Sequence, residues 1–450
     1  MRRVCSHSAR GNTIIALEAV QAGVSLHPVR RYRVAMVMTR SLEGSVQFGR
    51  VKCLRATSEA LGAAFELKAY RLHNLLETRN ILDMLGAALR AAVALARSRP
   101  IALQALLYSP GSEVRKLARD IAAGEFHAIY LDSVRCQALL RSLRKHLPDA
   151  HIVVDFDDLM SRRMELLSAG QHRLSLGFLR ELVPAPLRRL SEGPLSGWLT
   201  RYEAKALWRA ESEMARNVQA VVLVSSAEAD LLRARLPHES GASLVAIPPP
   251  AALVSAITTS APPYRFVFIG SDRLVQNRLS IDFLVQLWGR LRPAISLHIY
   301  GRQDRATPTV PNVHWYGYVD DLSEVYTSGS ILLLPALLPG GVKTKVIEAW
   351  AHGRPVLGNT AAFEGLDIAD YPLRVPESEW QPYIHSPGAF ESQWTGAARM
   401  GYEFVRSTLT VDRYASGWVQ IMTPMEDSQV GMPRRDPARS HRLERKGAGD

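Results

Sequence analysis

The stretch of this sequence best equipped for chemistry is PGGVKTKVIEAWAHGRPV, residues 339–356. Two lysines, Lys343 and Lys345, follow a Gly340-Gly341 pair, and Glu348 comes three residues later. Glycines let backbone N–H groups approach an anion closely, lysines add point charges, and a carboxylate accepts hydrogen bonds from hydroxyls. The combination reads as a site for a diphosphate joined to a ribose. Upstream, Ile331 to Pro335 is an apolar run suited to a buried strand, and helical residues begin near Thr344. At about 100° per residue, Val346, Ile347, Trp350 and Ala351 share one stripe, while Lys345, Glu348 and His352 share the opposite, outward one. Gly353 stops the helix, with Pro355 close behind. A strand, a glycine loop and a helix N-terminus in that order make an anion-binding arrangement. Taken alone, a Lys-x-Lys at a helix start serves a solvated face equally well.

The elements that must position this stretch repeat its pattern. Arg265 to Ser271 is a strand running into Gly270-Ser271, followed by Asn277 and a helix through Ile281, Leu284, Leu287 and Leu291. The next two strands end at Gly301 and Gly317. Four strand–turn units in about a hundred residues imply a parallel doubly wound sheet, whose ligands sit at the carboxyl ends of the strands. Earlier in the chain, Arg33–Met38, Ala128–Asp132 and His151–Asp158 read as strands of a second α/β unit.

The segments FIGSDRLVQN, LHIYG, VHWYGYVDDLSEVY and GGVKTKVIEAWAHGRPVLGNTAAFEGL, in this order, resemble the GT-B glycosyltransferases. The resemblance is greatest to their large retaining branch of bacterial polysaccharide and glycolipid sugar transferases, the glycosyl transferases group 1. It spans roughly 265–366 and implies two Rossmann-like doubly wound domains facing a cleft. It further implies that Gly270, Ser271, Gly301, Gly317, Gly340, Gly341, Lys343 and Lys345 bind a nucleotide-sugar donor, with Gly317 bordering the base and Glu348 on the ribose hydroxyls. Lys343 and Lys345 would then neutralise the departing diphosphate, with no metal or other cofactor required. One departure stands out. Many members carry a second glutamate eight positions before the ribose-binding one, in contact with the transferred sugar, and here that position is Gly340.

In the first half, the polar loop of residues 41–50 corresponds in the family to one touching acceptor or diphosphate, which makes Gly44 and Gly49 acceptor-loop candidates. Asp132, Asp157 and Asp158 end strands that would face the same cleft and are the candidate base or sugar contacts, Asp132 and Asp157 foremost. Each would equally suit a helix N-cap or a loop hydrogen bond. The expected organisation is an extension over 1–32, an acceptor domain over 33–247, a Pro- and Ser-rich linker over 248–264, a donor domain over 265–424 whose last helix crosses back, and a disordered tail over 425–450.

At 450 residues, 47% hydrophobic and 22% charged, the composition is that of an ordinary globular enzyme of two or three domains. The net charge of +12 resides entirely in residues 1–250, which hold 35 Lys and Arg against 23 Asp and Glu. No basic stripe interleaved with aromatics accompanies it, which argues against nucleic acid and for an anionic membrane surface. Plain arginine usage would produce the same excess. The FLRELVPAPLRRL stretch, with Arg180, Arg188 and Arg189, could lie against such an interface or form a packed hairpin. The most apolar run, 84–96, is interrupted by Arg90 and is too short to span a bilayer. Glu18 breaks the early apolar run, so no signal peptide is expected, and Met36 or Met38 could be the true start. Three cysteines without metal-ligand spacing fit a reducing compartment. The expected protein is a cytoplasmic enzyme at the inner face of the plasma membrane, passing sugar to a lipid-linked or growing surface glycan. An epimerase of the same fold and a non-catalytic sugar-nucleotide sensor are the alternatives.

Overall fold

The computed structural model describes residues 32–42, 49–170, 196–237, 241–253 and 262–424. The described residues from Arg33 onward belong to one compact unit. Expectations for the N-terminal extension, for Gly44, for the segment holding Arg180, Arg188 and Arg189 and for the C-terminal tail fall outside the described residues.

The first half runs β1 (Arg33–Met38), α1 (Gly49–Ala64), β2 (Glu66–Arg71), α2 (Leu75–Thr78), α3 (Ile81–Ala96), α4 (Leu103–Leu107), α5 (Gly111–Ala122), β3 (Ala128–Asp132), α6 (Gln137–His146), β4 (His151–Asp157), α7 (Met160–Ala169), α8 (Ser196–Arg216), β5 (Ala220–Leu223), α9 (Ser226–Arg235) and β6 (Ser243–Ala246). The second half follows with β7 (Arg265–Ile269), α10 (Val275–Leu291), β8 (Leu297–Tyr300), β9 (Val313–Trp315), β10 (Ser330–Leu334), α11 (Thr344–Ala351), β11 (Val356–Gly358), α12 (Gln381–His385), α13 (Glu391–Thr408) and α14 (Val411–Met422).

The strands form two sheets, ordered β2-β1-β3-β4-β5-β6 and β11-β10-β7-β8-β9, and every pairing is parallel. This is the doubly wound α/β architecture that the strand–glycine pattern implied. In each sheet the order reverses once, between β1 and β3 in the first and between β7 and β10 in the second. The loops leaving those strands part to opposite sides, and a crevice opens between them.

Burial on both faces explains the near-continuous apolar strands. Along β1, Ala35 and Val37 enter one core cluster, while Val34, Met36 and Met38 enter another. The second cluster is completed by Tyr414, Trp418 and Met422 of α14, a helix that follows the second half in sequence yet packs on α1 and the first sheet. The second half closes over a core containing the fully buried Trp288, Trp350, Trp380 and Trp394. At the rim of the first sheet, β2 has no fully buried residue, so periodicity carries little signal there.

Candidate active site

The crevice of the second sheet is built by two helices that start without help. Neither α10 nor α11 has a side chain capping its N-terminus. Their first backbone N–H groups are therefore available to an anion. The turn before α11 needs its glycines: Gly340 and Gly341 have φ of 109° and 60°, in the left-handed region.

Lys345 does not point outward, as the helical stripe alone would have it. Its ammonium lies 4.5 Å from the centroid of the Phe268 ring and donates to Asn277 Oδ1 at 2.8 Å. Asn277 is held in turn by donating from Nδ2 to the Ser271 carbonyl at 3.1 Å. This closes a circuit from the loop after β7 to the helix after β10. Lys343 donates to the carbonyls of Gly340 and Gly341. Burial lowers the Lys343 pKa to about 8, with Glu364 pulling it back up, and lowers that of Lys345 to about 7, opposed by Glu348. Among the described residues neither lysine forms an ion pair. Two half-buried amines that pair with no carboxylate among the described residues make a site for an exogenous anion, whose charge would favour their protonated form.

Three further glycines line up along the same edge. Gly270 N–H donates to the Tyr300 carbonyl and Gly301 N–H to the Gly317 carbonyl, both at 2.9 Å. A Cβ on Gly270 would meet Asn277 at 2.7 Å, and one on Gly301 would meet the Gly270 carbonyl at 2.7 Å. Nothing lies within 4 Å of a Cβ on Gly317. Beside it Tyr316 stacks on Tyr300, with ring centroids 4.7 Å apart and planes 13° from parallel, which provides a flat wall at the strand ends. Glu348 sits one turn from Lys345, partly exposed, with Lys52 of α1 3.1 Å from its carboxylate.

The crevice of the first sheet holds a different arrangement, centred on Arg50, which the sequence reading passed over. Its guanidinium reaches Asp132 at 2.7 Å, Asp155 at 3.0 Å and Asp157 at 3.4 Å. Asp132 is fully buried and also accepts from Thr39 Oγ1 at 2.7 Å and Thr39 N–H at 3.0 Å. Burial opposes its charge, but Arg50, Arg40 and Thr39 hold its pKa well below the usual carboxylate range. So fixed, Asp132 is an anchor for Arg50. Burial raises the Asp155 pKa against the pull of Arg50, and Tyr130 donates to Asp155 at 2.6 Å. Asp157 differs from both. Its side chain is 30% exposed, its φ is +67°, and the β4–β5 register shifts at this point. A bulge that re-aims a carboxylate in this way leaves Asp157 as the member of the cluster open to a substrate.

The strand ends of the two halves meet. Gly49, the first residue of α1, faces the Thr344 side chain, and a Cβ on Gly341 would lie 3.5 Å from that of Asp158. Asp158 pairs with Arg163, while Arg162 pairs with Glu364 of the second half. Glu364 also accepts from the Gly340 N–H at 2.7 Å. Beside them is Glu228 of α9, also absent from the sequence reading. Its side chain is 1% exposed, Arg162 is 3.7 Å away, and neither carboxylate oxygen has a hydrogen bond of acceptable geometry, although the Gly341 amide lies near. Burial pushes its pKa up. One oxygen is 3.5 Å from where a Gly340 Cβ would stand. The sequence signal for it was Ser225-x-x-Glu228, a helix-capping pattern whose glutamate turns to the junction.

Two Rossmann-like parallel sheets with their strand ends apposed, one carrying an anion cradle, define the GT-B fold. Within it, residues 263–370 match the family model of the glycosyl transferases group 1. Sucrose-phosphate synthase from Thermosynechococcus elongatus superposes with a TM-score of 0.55 at 14% identity, over 87% of this chain and 98% of that one. Anabaena HepE in complex with UDP and glucose gives 0.55 at 10% identity over 86% and 98%. The E. coli trehalose-6-phosphate structure bound with UDP-2-fluoro glucose gives 0.53 at 9% identity over 87% and 99%. None of the curated protein sequences matches the chain.

Proposed function

We propose that this protein transfers a sugar, with retention, from a nucleotide-diphosphate donor to a lipid-linked or growing surface glycan at a membrane. The observation that carries this reading is the pair of half-buried lysines, with no ion pair among the described residues, beside two uncapped helix starts at the reversal point of the second sheet. The solved structures with UDP or a UDP-sugar bound in the same fold support a nucleotide-sugar donor.

In this mechanism Lys343, Lys345 and the free amides of α10 and α11 hold the diphosphate, and Glu348 releases Lys52 to take the ribose hydroxyls. As the bond between the anomeric carbon and the phosphate oxygen breaks, negative charge grows on the diphosphate, and the lysines stabilise it more than the ground state. With retention, the leaving phosphate accepts the acceptor's proton; Asp157 then serves as a contact for sugar or acceptor rather than as the base. Incubation with UDP-, GDP- and dTDP-sugars plus membrane lipid extract, followed by nucleotide release and product mass, tests the reading. Nucleotide binding without turnover for every donor and acceptor would replace it with a sensor, and altered donor without transfer with an epimerase.

Glu228 supplies the sugar-facing carboxylate that the Gly340 position lacks. Glu228→Gln is therefore expected to leave the affinity for UDP within about twofold while lowering kcat/KM for the donor about 10- to 100-fold, the worth of a charged hydrogen bond. Equal losses in both would make Glu228 a junction strut instead.

Binding should also move protons. A diphosphate at Lys345 favours the charged amine, so its pKa of about 7 in the empty site rises on binding, and nucleotide binding takes up a proton above that pH. UDP affinity is expected to be highest near pH 7, to weaken by up to about tenfold per unit above it, and to fall more steeply above about pH 8, where Lys343 also loses its proton. Calorimetry at pH 8 in buffers of different ionisation enthalpy reads the uptake directly. Zero uptake would remove Lys345 from the diphosphate site.

A further inference from the structure

Helix α3 is built inside out. The residues it turns to the protein are Asp83, Ala87 and Ala94, whereas Leu82, Leu85 and Leu89 are 78%, 61% and 66% exposed. At about 100° per residue these leucines and Val93 share one arc of the helix. Asp83 turns inward to the Ser112 N–H at 3.1 Å, so the outer arc carries no acidic side chain. The Asn80 cap secures the helix locally, accepting from the Leu82 N–H at 3.0 Å. Single exposed leucines are ordinary, but a continuous stripe of them marks a surface meant to be covered.

The charges around the stripe say what covers it. Residues 79–99 contain Arg79, Arg90, Arg97 and Arg99 against the single acid Asp83. Arg79, Arg97 and Arg99 are exposed, and none of them enters an ion pair among the described residues. Sixteen residues rise only about 24 Å, short of the ~30 Å hydrocarbon layer, and no described helix is long and apolar enough to cross a membrane. An apolar arc flanked by arginines on a helix of this length suits the plane of an anionic lipid surface.

We propose that α3 is the surface by which this protein settles on an anionic bilayer, its leucines among the upper acyl chains and its arginines at the headgroups. The placement gives the lipid-linked acceptor of the proposed function a route to the first half, and rests on that reading for its purpose alone. The test sediments the full chain with phosphatidylglycerol vesicles and, separately, phosphatidylcholine vesicles, without nucleotide or sugar. Phosphatidylglycerol is expected to pellet the protein and phosphatidylcholine to do so far less. Leu85→Glu/Leu89→Glu should lower partitioning at least about tenfold, and Arg97→Glu/Arg99→Glu should weaken binding as added salt does. Both variants should keep the wild-type melting curve and UDP affinity. No pelleting of the wild type, or equal pelleting of wild type and leucine variant, overturns the proposal. So does a wild-type dimer in light scattering that the leucine variant converts to monomer, because a second copy would then be the occupant. Loss of transfer to a soluble acceptor analogue with vesicle binding intact would sink the proposed function and leave the docking surface standing.

Discussion

Lys345→Ala is expected to lower turnover about 100- to 1,000-fold while the melting curve stays within a few degrees of wild type. The magnitude is that of one preorganised donor removed from a developing anion in a half-buried site. The fold tolerates the loss because Lys345 has no ion pair to break among the described residues: its removal leaves Asn277 Oδ1 without this donor but strands no buried carboxylate there. Lys343→Ala and Glu348→Ala should likewise abolish turnover, by different routes. Lys343 acts on the diphosphate, whereas Glu348 acts on the ribose and should raise KM as well. The decisive comparison is donor turnover beside proton uptake at pH 8, which Lys345→Ala should reduce and Glu348→Ala should not. Full activity in Lys343→Ala and Glu348→Ala would overturn the site assignment.

The largest stability effect belongs to the other half. Arg50→Met is expected to destabilise the protein by about 3–5 kcal/mol, because it leaves Asp155 buried with no opposing guanidinium and Asp132 with Arg40 alone. The side chain of Arg50 is itself nearly buried, so solvent cannot take over its role. Denaturant unfolding measures the loss. Arg50→Met combined with Asp155→Asn should recover part of it, since the second change removes one of the stranded charges. If the double variant were no more stable than the single one, the ion cluster would not be what holds the strand ends together.

The fold was legible because its signals are local. Strands such as β7 and β10 announce themselves as apolar runs, each followed by a glycine loop, and a parallel sheet is what repeated strand–helix units can build. The residues of the donor cradle were legible for the same reason, since Gly340, Gly341, Lys343, Lys345 and Glu348 lie within nine positions of one another. What local signals could not carry was direction. The helical stripe placed Lys345 on an outward face, yet Phe268 and Asn277, some seventy residues upstream, lie against that face and take the lysine in.

Long-range partners hid the rest. Arg50 reads as one arginine among many until the chain returns 82 residues later with Asp132 and then with Asp155 and Asp157. Glu228 reads as the last residue of a Ser-x-x-Glu capping pattern until the second half brings Gly340 and Glu364 against it. In α3 the apolar composition of 84–96 stood out in the sequence, but which arc faces inward depends on the packing of the helix against α4 and α5.

The sequence by itself therefore determined the two parallel sheets, the glycine turns and the chemical types gathered before α11, all of which follow from backbone preference and hydrophobic period over a few residues. The tertiary structure alone decided which charges lie buried, which are paired and which are left open to a ligand. Those depend on desolvation and on distances between side chains far apart in the chain, and both come into being only when the halves pack.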